Sequence, residues 1–195
     1  KENKKILNFA KKSSFSITFS ALIKLSEQII ITIFLGVEKL AIYIIITQIP
    51  NQIKIFCKSI NPIILTDLSK KSSLNRINTY IIYSLIITII IIIFYCLTIG
   101  IIFDIFYTKY ADYKKLAIIS SILLFIIPVN ILNTYFQAKL NLRYLNFIEI
   151  VIPIIKFSLI IPVILKFGII GVIFLEFFEK ITILIIGMTF INFNY

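Results

Sequence analysis

Histidine is absent from this chain of 195 residues, which also has only two cysteines and one methionine. Cys57 and Cys96 lie in apolar segments and form no CxxC pair, so we expect neither a disulfide nor a metal site. The sequence also lacks a GxSxG element, a glycine-rich phosphate loop and paired aspartates in a loop. We therefore expect no catalytic residues, no enzyme activity and no cofactor.

Charged residues are scarce at 15%, whereas 59% of the residues are hydrophobic and the mean hydropathy is +1.02. Soluble domains contain about 45 to 50% apolar residues. The apolar runs here reach the length of about 20 residues that a helix needs to cross a bilayer, and they lack the alternation of a membrane barrel. The net charge of +11 comes mainly from lysines, which are scattered between these runs. We therefore expect a lipid bilayer as the partner, and no nucleic acid.

Six apolar segments are predicted to span the membrane as helices, because lipid offers the backbone no hydrogen-bonding partner outside its own segment. They lie near 13–35, 39–66, 79–103, 116–138, 146–166 and 168–191. The expected fold is all-α, with residues 1–195 forming a single lobe of six transmembrane helices. Since the chain begins with Lys1 and its only methionine is Met188, we expect it to be a fragment of a longer protein.

The distribution of Lys and Arg predicts the orientation in the membrane. One side of the six spans would carry ten of these residues, and the other side would carry five. The positive-inside rule then places the N-terminus and the loops 67–78 and 139–145 in the cytoplasm. With six spans the C-terminus is also cytoplasmic, as in a multi-pass protein of the inner, cytoplasmic membrane.

A polar stripe follows one face of the second predicted span, with residues spaced by threes and fours. Its members are Tyr43, Thr47, Asn51, Lys54, Lys58 and Asn61. A lysine near the bilayer centre costs about 2.5 to 3.5 kcal/mol, so these lysines are expected to face protein or water. Pro50, near the centre of the span, would free a backbone carbonyl. Lys54 is expected to face a cavity, whereas Lys58 has the alternative of reaching the headgroup layer.

The first span carries Lys24 and Glu27, three residues apart on one face. One interpretation is a neutral pair that attaches this helix to a neighbour. The other is functional, with Glu27 binding a coupling proton or sodium ion and Lys24 meeting an anionic substrate.

Polar residues also occur in the last three spans. Asn130 and Asn133 have the spacing of side chains that hydrogen-bond to an adjacent helix. Lys156 would fit either a helix contact or a cavity position. Glu176 precedes Lys180 by four residues, which favours a pair, and this leaves Glu179 to find a lysine on another helix or to bind a proton.

Three short elements resemble the multidrug, oligosaccharidyl-lipid and polysaccharide (MOP) exporter superfamily, to which the multidrug and toxin extrusion (MATE) transporters belong. The segment 35–43 (LGVEKLAIY) resembles its "LG-x-x-x-(L/A)-(G/A)-x-Y" element, and Pro62 with Leu68-Ser69 resembles "P-x-(L/I)-S". The segment 167–172 (FGIIGV) resembles the "G-(I/V)-x-G" turn between the last two helices of a lobe. Within the superfamily the chain looks most like the polysaccharide and O-antigen flippases.

The resemblance implies one lobe of a two-lobed transporter of about twelve to fourteen helices, with the second lobe missing here. Its cargo would be an undecaprenyl-pyrophosphate-linked glycan, flipped between leaflets by alternating access during polysaccharide biosynthesis. The implied cavity residues are the cations Lys24, Lys54, Lys58 and Lys156 and the amides Gln48, Asn51, Gln52 and Asn61. Glu27 would couple transport to a Na⁺ or H⁺ gradient.

Two alternatives remain open from the sequence. The first is a drug or metabolite exporter of the MATE type with the same fold. The second is a membrane scaffold that transports nothing and whose polar residues only join helices.

Overall fold

The computed structural model describes residues 2–70 and 74–193, with side chains for 11–69 and 76–191. Its helices are α1 (Glu2–Leu35), α2 (Val37–Lys58), α3 (Asn61–Lys70), α4 (Leu74–Phe106), α5 (Lys114–Ile119), α6 (Ile126–Ala138), α7 (Leu142–Asn146) and α8 (Ile152–Phe193). Short 3₁₀ helices at Thr108–Tyr113 and Ser120–Phe125 flank α5, and a π-helical turn at Phe147–Val151 joins α7 to α8. No strand occurs in the described ranges, so the all-α prediction is confirmed there.

Five segments within the described ranges are long and apolar enough to cross a membrane. They are Lys11–Leu35, Val37–Ser69, Arg76–Phe106, Thr108–Ala138 and Leu142–Ile191. The first four each contain one of the predicted spans, and the fifth contains the last two. Exposed apolar side chains such as Ile93, Phe94 and Leu97 cover the outer face of α4, as expected of a surface in contact with lipid.

The fifth segment reverses direction at Gly168, which has φ 59° and ψ −141°. Twenty residues separate Lys156 from Glu176, yet their side chains approach within 3.5 Å. A straight helix would separate two such residues by about 30 Å. The halves of α8 on either side of Gly168, residues 152–167 and 169–193, therefore run antiparallel and face each other.

Small residues and aromatic rings form the contact between α6, α7 and the second half of α8. The rings of Phe136 and Tyr144 stack with centroids 3.8 Å apart. A Cβ at Gly187 would lie 2.0 Å from Leu132 Cδ2 and 2.8 Å from the Tyr144 hydroxyl. The absence of a side chain at Gly187 thus lets α8 approach α6 closely, as is common between transmembrane helices.

Hydroxyl groups satisfy several backbone carbonyls inside the bundle. The Ser120 hydroxyl donates a hydrogen bond of 2.8 Å to the carbonyl oxygen of Ile46 on α2. The Tyr95 hydroxyl donates one of 3.0 Å to the carbonyl oxygen of Ala117. Two of the four side-chain polar atoms of Asn130 and Asn133 on α6 take no part in the predicted hydrogen bonds to an adjacent helix. Asn130 Nδ2 and Asn133 Oδ1 are buried and have no hydrogen bond within the described part of the chain.

Candidate functional site

Lys156 lies at the centre of three glutamates inside the helical bundle. Its Nζ is 2.6 Å from Glu27 Oε2 and 3.5 Å from both Glu176 Oε1 and Glu179 Oε2. Glu27 belongs to α1, Lys156 to the first half of α8, and the other two glutamates to its second half. A buried ion must be paired to be tolerated in apolar surroundings, so this network ties the three helical segments together.

Two further side chains complete the charged network. Lys180 Nζ lies 2.9 Å from Glu179 Oε1. The Tyr43 hydroxyl on α2 lies 3.1 Å from Glu27 Oε1 and 3.3 Å from Glu176 Oε1, so it bridges α1 and α8. Because Tyr43 is itself buried, its contacts with the two carboxylates are shielded from solvent.

The structure corrects two pairs expected from helical spacing. Glu27 is paired with Lys156, and Lys24 forms no ion pair with any described residue. Lys180 contacts Glu179, its direct neighbour in sequence, whereas Glu176 contacts Lys156. Spacing along a helix identifies only local neighbours, and here the approach of the two halves of α8 provides a closer cation.

A cavity of about 190 Å³, which we call the charged cavity, lies beside this network. Its charged wall is formed by Lys24, Glu27, Lys54, Lys156, Glu176, Glu179 and Lys180. The structure places Lys54 half-buried in this wall, next to Pro50 and Asn51, without an ion pair among the described residues. Four lysines face three glutamates, so the wall carries a net charge of +1 when all are ionised.

A second cavity of about 350 Å³, the amide cavity, adjoins the charged cavity and shares Lys24, Asn51, Leu123 and Glu176 with it. Its wall also contains the amides Gln28, Gln48 and Gln52. Three of the four amides that the resemblance implied as cavity residues, Gln48, Asn51 and Gln52, therefore lie together. Gln48 also accepts a hydrogen bond from the Tyr107 hydroxyl at 3.3 Å.

Two nominated residues lie elsewhere. Lys58 is exposed in the last turn of α2 and is not part of the wall of either cavity. Asn61 begins α3 and lines a separate, mainly apolar groove that also contains Ile63, Ile64 and Asn130. Helix α2 ends at Lys58, so the helical spacing that joined Lys54, Lys58 and Asn61 in the sequence does not continue across this break.

The sequence did not place Tyr43, Glu176, Glu179 and Lys180 in one site with Glu27. The signal was present in the spacing of Glu176 and Glu179, which put both on one face of an apolar helix. The Lys156 ammonium occupies the space between the three carboxylates. No group of three or more His, Cys, Asp or Glu side chains that could hold a metal ion occurs in the described ranges.

The chain matches no protein-family model, no curated protein and no solved structure. The chemistry of the site therefore rests on its own geometry. That geometry combines a positively charged cavity with an adjoining set of amides, both within apolar helices long enough to cross a membrane. Such a site suits a ligand that has a compact anionic group and a neutral, hydrogen-bonding part.

Proposed function

We propose that this chain is one lobe of a flippase that carries a lipid-pyrophosphate-linked oligosaccharide across the membrane for the synthesis of cell-surface polysaccharide. The observation that supports this most is the position of Lys24 and Lys54. Both line the charged cavity, and neither has an ion pair within the described residues. Unpaired lysines among apolar helices require water or an anion beside them.

A pyrophosphate diester suits the charge of this cavity, because it carries two negative charges on compact oxygens that accept hydrogen bonds from ammonium groups. The amide cavity adjoins it through Lys24 and Asn51. Sugar hydroxyls both donate and accept hydrogen bonds, as do the side chains of Gln48, Asn51 and Gln52. The lipid tail would remain in the bilayer.

The proposal includes six membrane spans, with the reversal at Gly168 dividing the segment Leu142–Ile191 into two of them. It also includes a second lobe. Lys24, Gln28 and Gln48 are exposed on helices whose surroundings are otherwise apolar, and lipid cannot hydrogen-bond to them. A facing lobe would cover these side chains with protein and water, and rocking of the two lobes would give alternating access.

In this proposal the protein lies in the cytoplasmic membrane with both termini on the cytoplasmic side, as the excess of Lys and Arg on that side indicates. The buried network around Lys156 would fit a scaffold equally well, because ion pairs between helices hold the helices together. The unpaired Lys24 and Lys54 favour transport over a scaffold.

The test replaces Lys24 or Lys54 with glutamine in the full-length protein and measures surface polysaccharide at matched protein levels. Since a hydrogen bond to a charged group contributes about 1.5 to 3 kcal/mol, we expect about a tenfold or greater loss of export. The matched control is Lys109→Gln, which neutralises an exposed lysine outside both cavities. Normal export by both cavity variants would refute the proposal, and a change in drug sensitivity with normal polysaccharide would indicate a drug exporter.

A further inference from the structure

A groove of about 330 Å³ lies between α3 and α4 and shares no residue with the charged cavity or the amide cavity. Both helices pack against α6, which contributes the buried side chains of Ile127 and Ile131 to the groove. Ile63 on α3 and Tyr83 on α4 also line it, and they are 70% and 61% exposed. We call this the α3–α4 groove. Because exposed apolar side chains surround its opening, it faces the hydrocarbon of the bilayer.

Three polar side chains form a cluster at the end of the groove nearest the connection between α3 and α4. Arg76 Nη1 on α4 lies 3.1 Å from Asp67 Oδ1 and 3.3 Å from Asp67 Oδ2 on α3. The Tyr80 hydroxyl donates to Asp67 Oδ2 at 2.8 Å, and both Asp67 and Tyr80 line the groove. The Asp67 carboxylate therefore holds the Arg76 guanidinium at this end of the groove.

The Arg76 guanidinium has further donors for a second acceptor. Both contacts with Asp67 use Nη1, and a guanidinium also carries N–H groups on Nη2 and Nε. The Arg76 side chain is 43% exposed, so a ligand outside the bundle can reach it. The planar fork of an arginine fits two oxygens of a phosphate group, and basic side chains at the ends of transmembrane helices bind lipid head groups.

We propose that the α3–α4 groove binds one phospholipid, with its phosphate on Arg76 and one acyl chain between α3 and α4. From Tyr80 to Ile87 the groove follows seven residues of α4, a length of about 10 Å. An acyl chain leads from the phosphate into the hydrocarbon in the same direction. Its contacts with both helices replace those that an empty groove would forfeit.

The surroundings favour a phospholipid over a second protein chain as the occupant. Phospholipids surround a membrane-spanning helix on every side that protein does not cover, and they combine the phosphate and the hydrocarbon chain that the two parts of this site fit. The predicted orientation places the end of the groove at Arg76 in the cytoplasmic leaflet. This site does not depend on the proposed function.

The experiment uses tryptophan fluorescence, since this chain contains no tryptophan. Tyr83→Trp places a reporter at the groove of the full-length protein in dodecyl maltoside, and its emission is taken as the difference from the parent protein. The probes are phosphatidylglycerol and diacylglycerol with the same brominated chains, which quench a neighbouring indole. We expect saturable quenching, with half-saturation at about a tenfold lower concentration of phosphatidylglycerol, because diacylglycerol lacks the charged hydrogen bonds to Arg76.

Substitution of Arg76 tests the phosphate contact. Arg76→Gln in the Tyr83→Trp protein should abolish the tenfold preference and leave diacylglycerol binding unchanged. Arg143→Gln, at an exposed arginine outside the groove, is the matched control and should retain the preference. Should Arg76→Gln fail to fold, Arg76→Lys keeps the charge beside Asp67 but lacks the fork, and it should lower the preference several-fold. An unchanged preference in the Arg76 variant would overturn the site.

A second reporter controls for general contact with lipid. Phe94→Trp lies on the outer face of α4, 68% exposed and outside the groove, so its quenching should show no preference between the two probes. The same preference at both reporters would indicate adsorption over the whole surface and overturn the site. Equal half-saturation at Tyr83→Trp would show that hydrocarbon alone fills the groove, which also overturns it. An absence of quenching there would show that protein, such as a second copy of this chain, covers the groove instead.

Discussion

Lys156 Nζ and Glu27 Oε2 lie 2.6 Å apart although 129 residues separate them in the sequence. The Lys156 side chain is 11% exposed and that of Glu27 is 6% exposed, so the pair is shielded from solvent. This contact joins α1 to the first half of α8. It also fixes one wall of the charged cavity.

Replacing Lys156 with methionine is expected to destabilise the fold by about 3 to 5 kcal/mol, because it removes the cation shared by three carboxylates whose side chains are only 6 to 14% exposed. Thermal unfolding in detergent measures the change. Lys166→Met, at an exposed lysine on the same helix, should cost less than about 0.5 kcal/mol. Adding Glu27→Gln to Lys156→Met should cost less than the sum of the single changes, since it removes one unpaired charge. Equal melting temperatures for Lys156→Met and Lys166→Met would contradict the network.

A side chain at Gly187 is expected to disturb the contact between α6 and α8. In Gly187→Ala the new Cβ would lie 2.0 Å from Leu132 Cδ2, so Leu132 or the helix must move, at a cost of about 1 to 3 kcal/mol. The control is Gly100→Ala on α4, where a Cβ meets nothing within 4 Å and alanine should stabilise by about 0.5 to 1 kcal/mol. Unfolding midpoints of the two variants should therefore move in opposite directions, and a parallel shift would count against this packing.

Gly168→Ala is expected to weaken the reversal within α8 for a different reason. No atom would obstruct a Cβ there, but φ 59° with ψ −141° is a conformation that only glycine adopts readily. The expected loss is about 1 to 3 kcal/mol. A Cβ meets no other atom at either position. The difference in unfolding free energy between Gly168→Ala and Gly100→Ala therefore measures the cost of the backbone conformation at position 168. Equal unfolding free energies for the two variants would show that a side chain at position 168 does not strain the turn.

Water in the charged cavity is tested by thiol labelling of position 54. In a background with Cys57→Ser and Cys96→Ser, Lys54→Cys should react with a membrane-impermeant thiol reagent, because a hydrated thiol ionises. Ile93→Cys is the matched control, at a position that is 56% exposed on the apolar outer face of α4. It should remain unlabelled in a bilayer, where lipid excludes both water and reagent. Absence of labelling at position 54 would favour the scaffold interpretation.

The helices of this protein were predictable from composition and periodicity. Long apolar runs require helices in lipid, and turn signals such as the glycine at position 168 mark where a run must divide. The wall of the cavity was predictable in part. Lys24, Asn51 and Lys54 follow from the cost of placing polar groups in apolar segments. Lys58 lies at the last position of α2, and Asn61 lies beyond the end of that helix, so neither lines this cavity.

The sequence by itself determined that the chain is helical, that it is apolar enough to cross a membrane, and that its apolar segments contain more lysines and glutamates than lipid could tolerate unpaired. Only the tertiary structure decided which charges meet. Lys24 and Glu27 are neighbours along α1, yet the reversal at Gly168 brings Lys156, Glu176 and Glu179 to Glu27 and leaves Lys24 facing the cavity. The physical reason is that periodicity fixes the face of a helix on which a side chain lies, whereas its partner depends on which helix packs against that face.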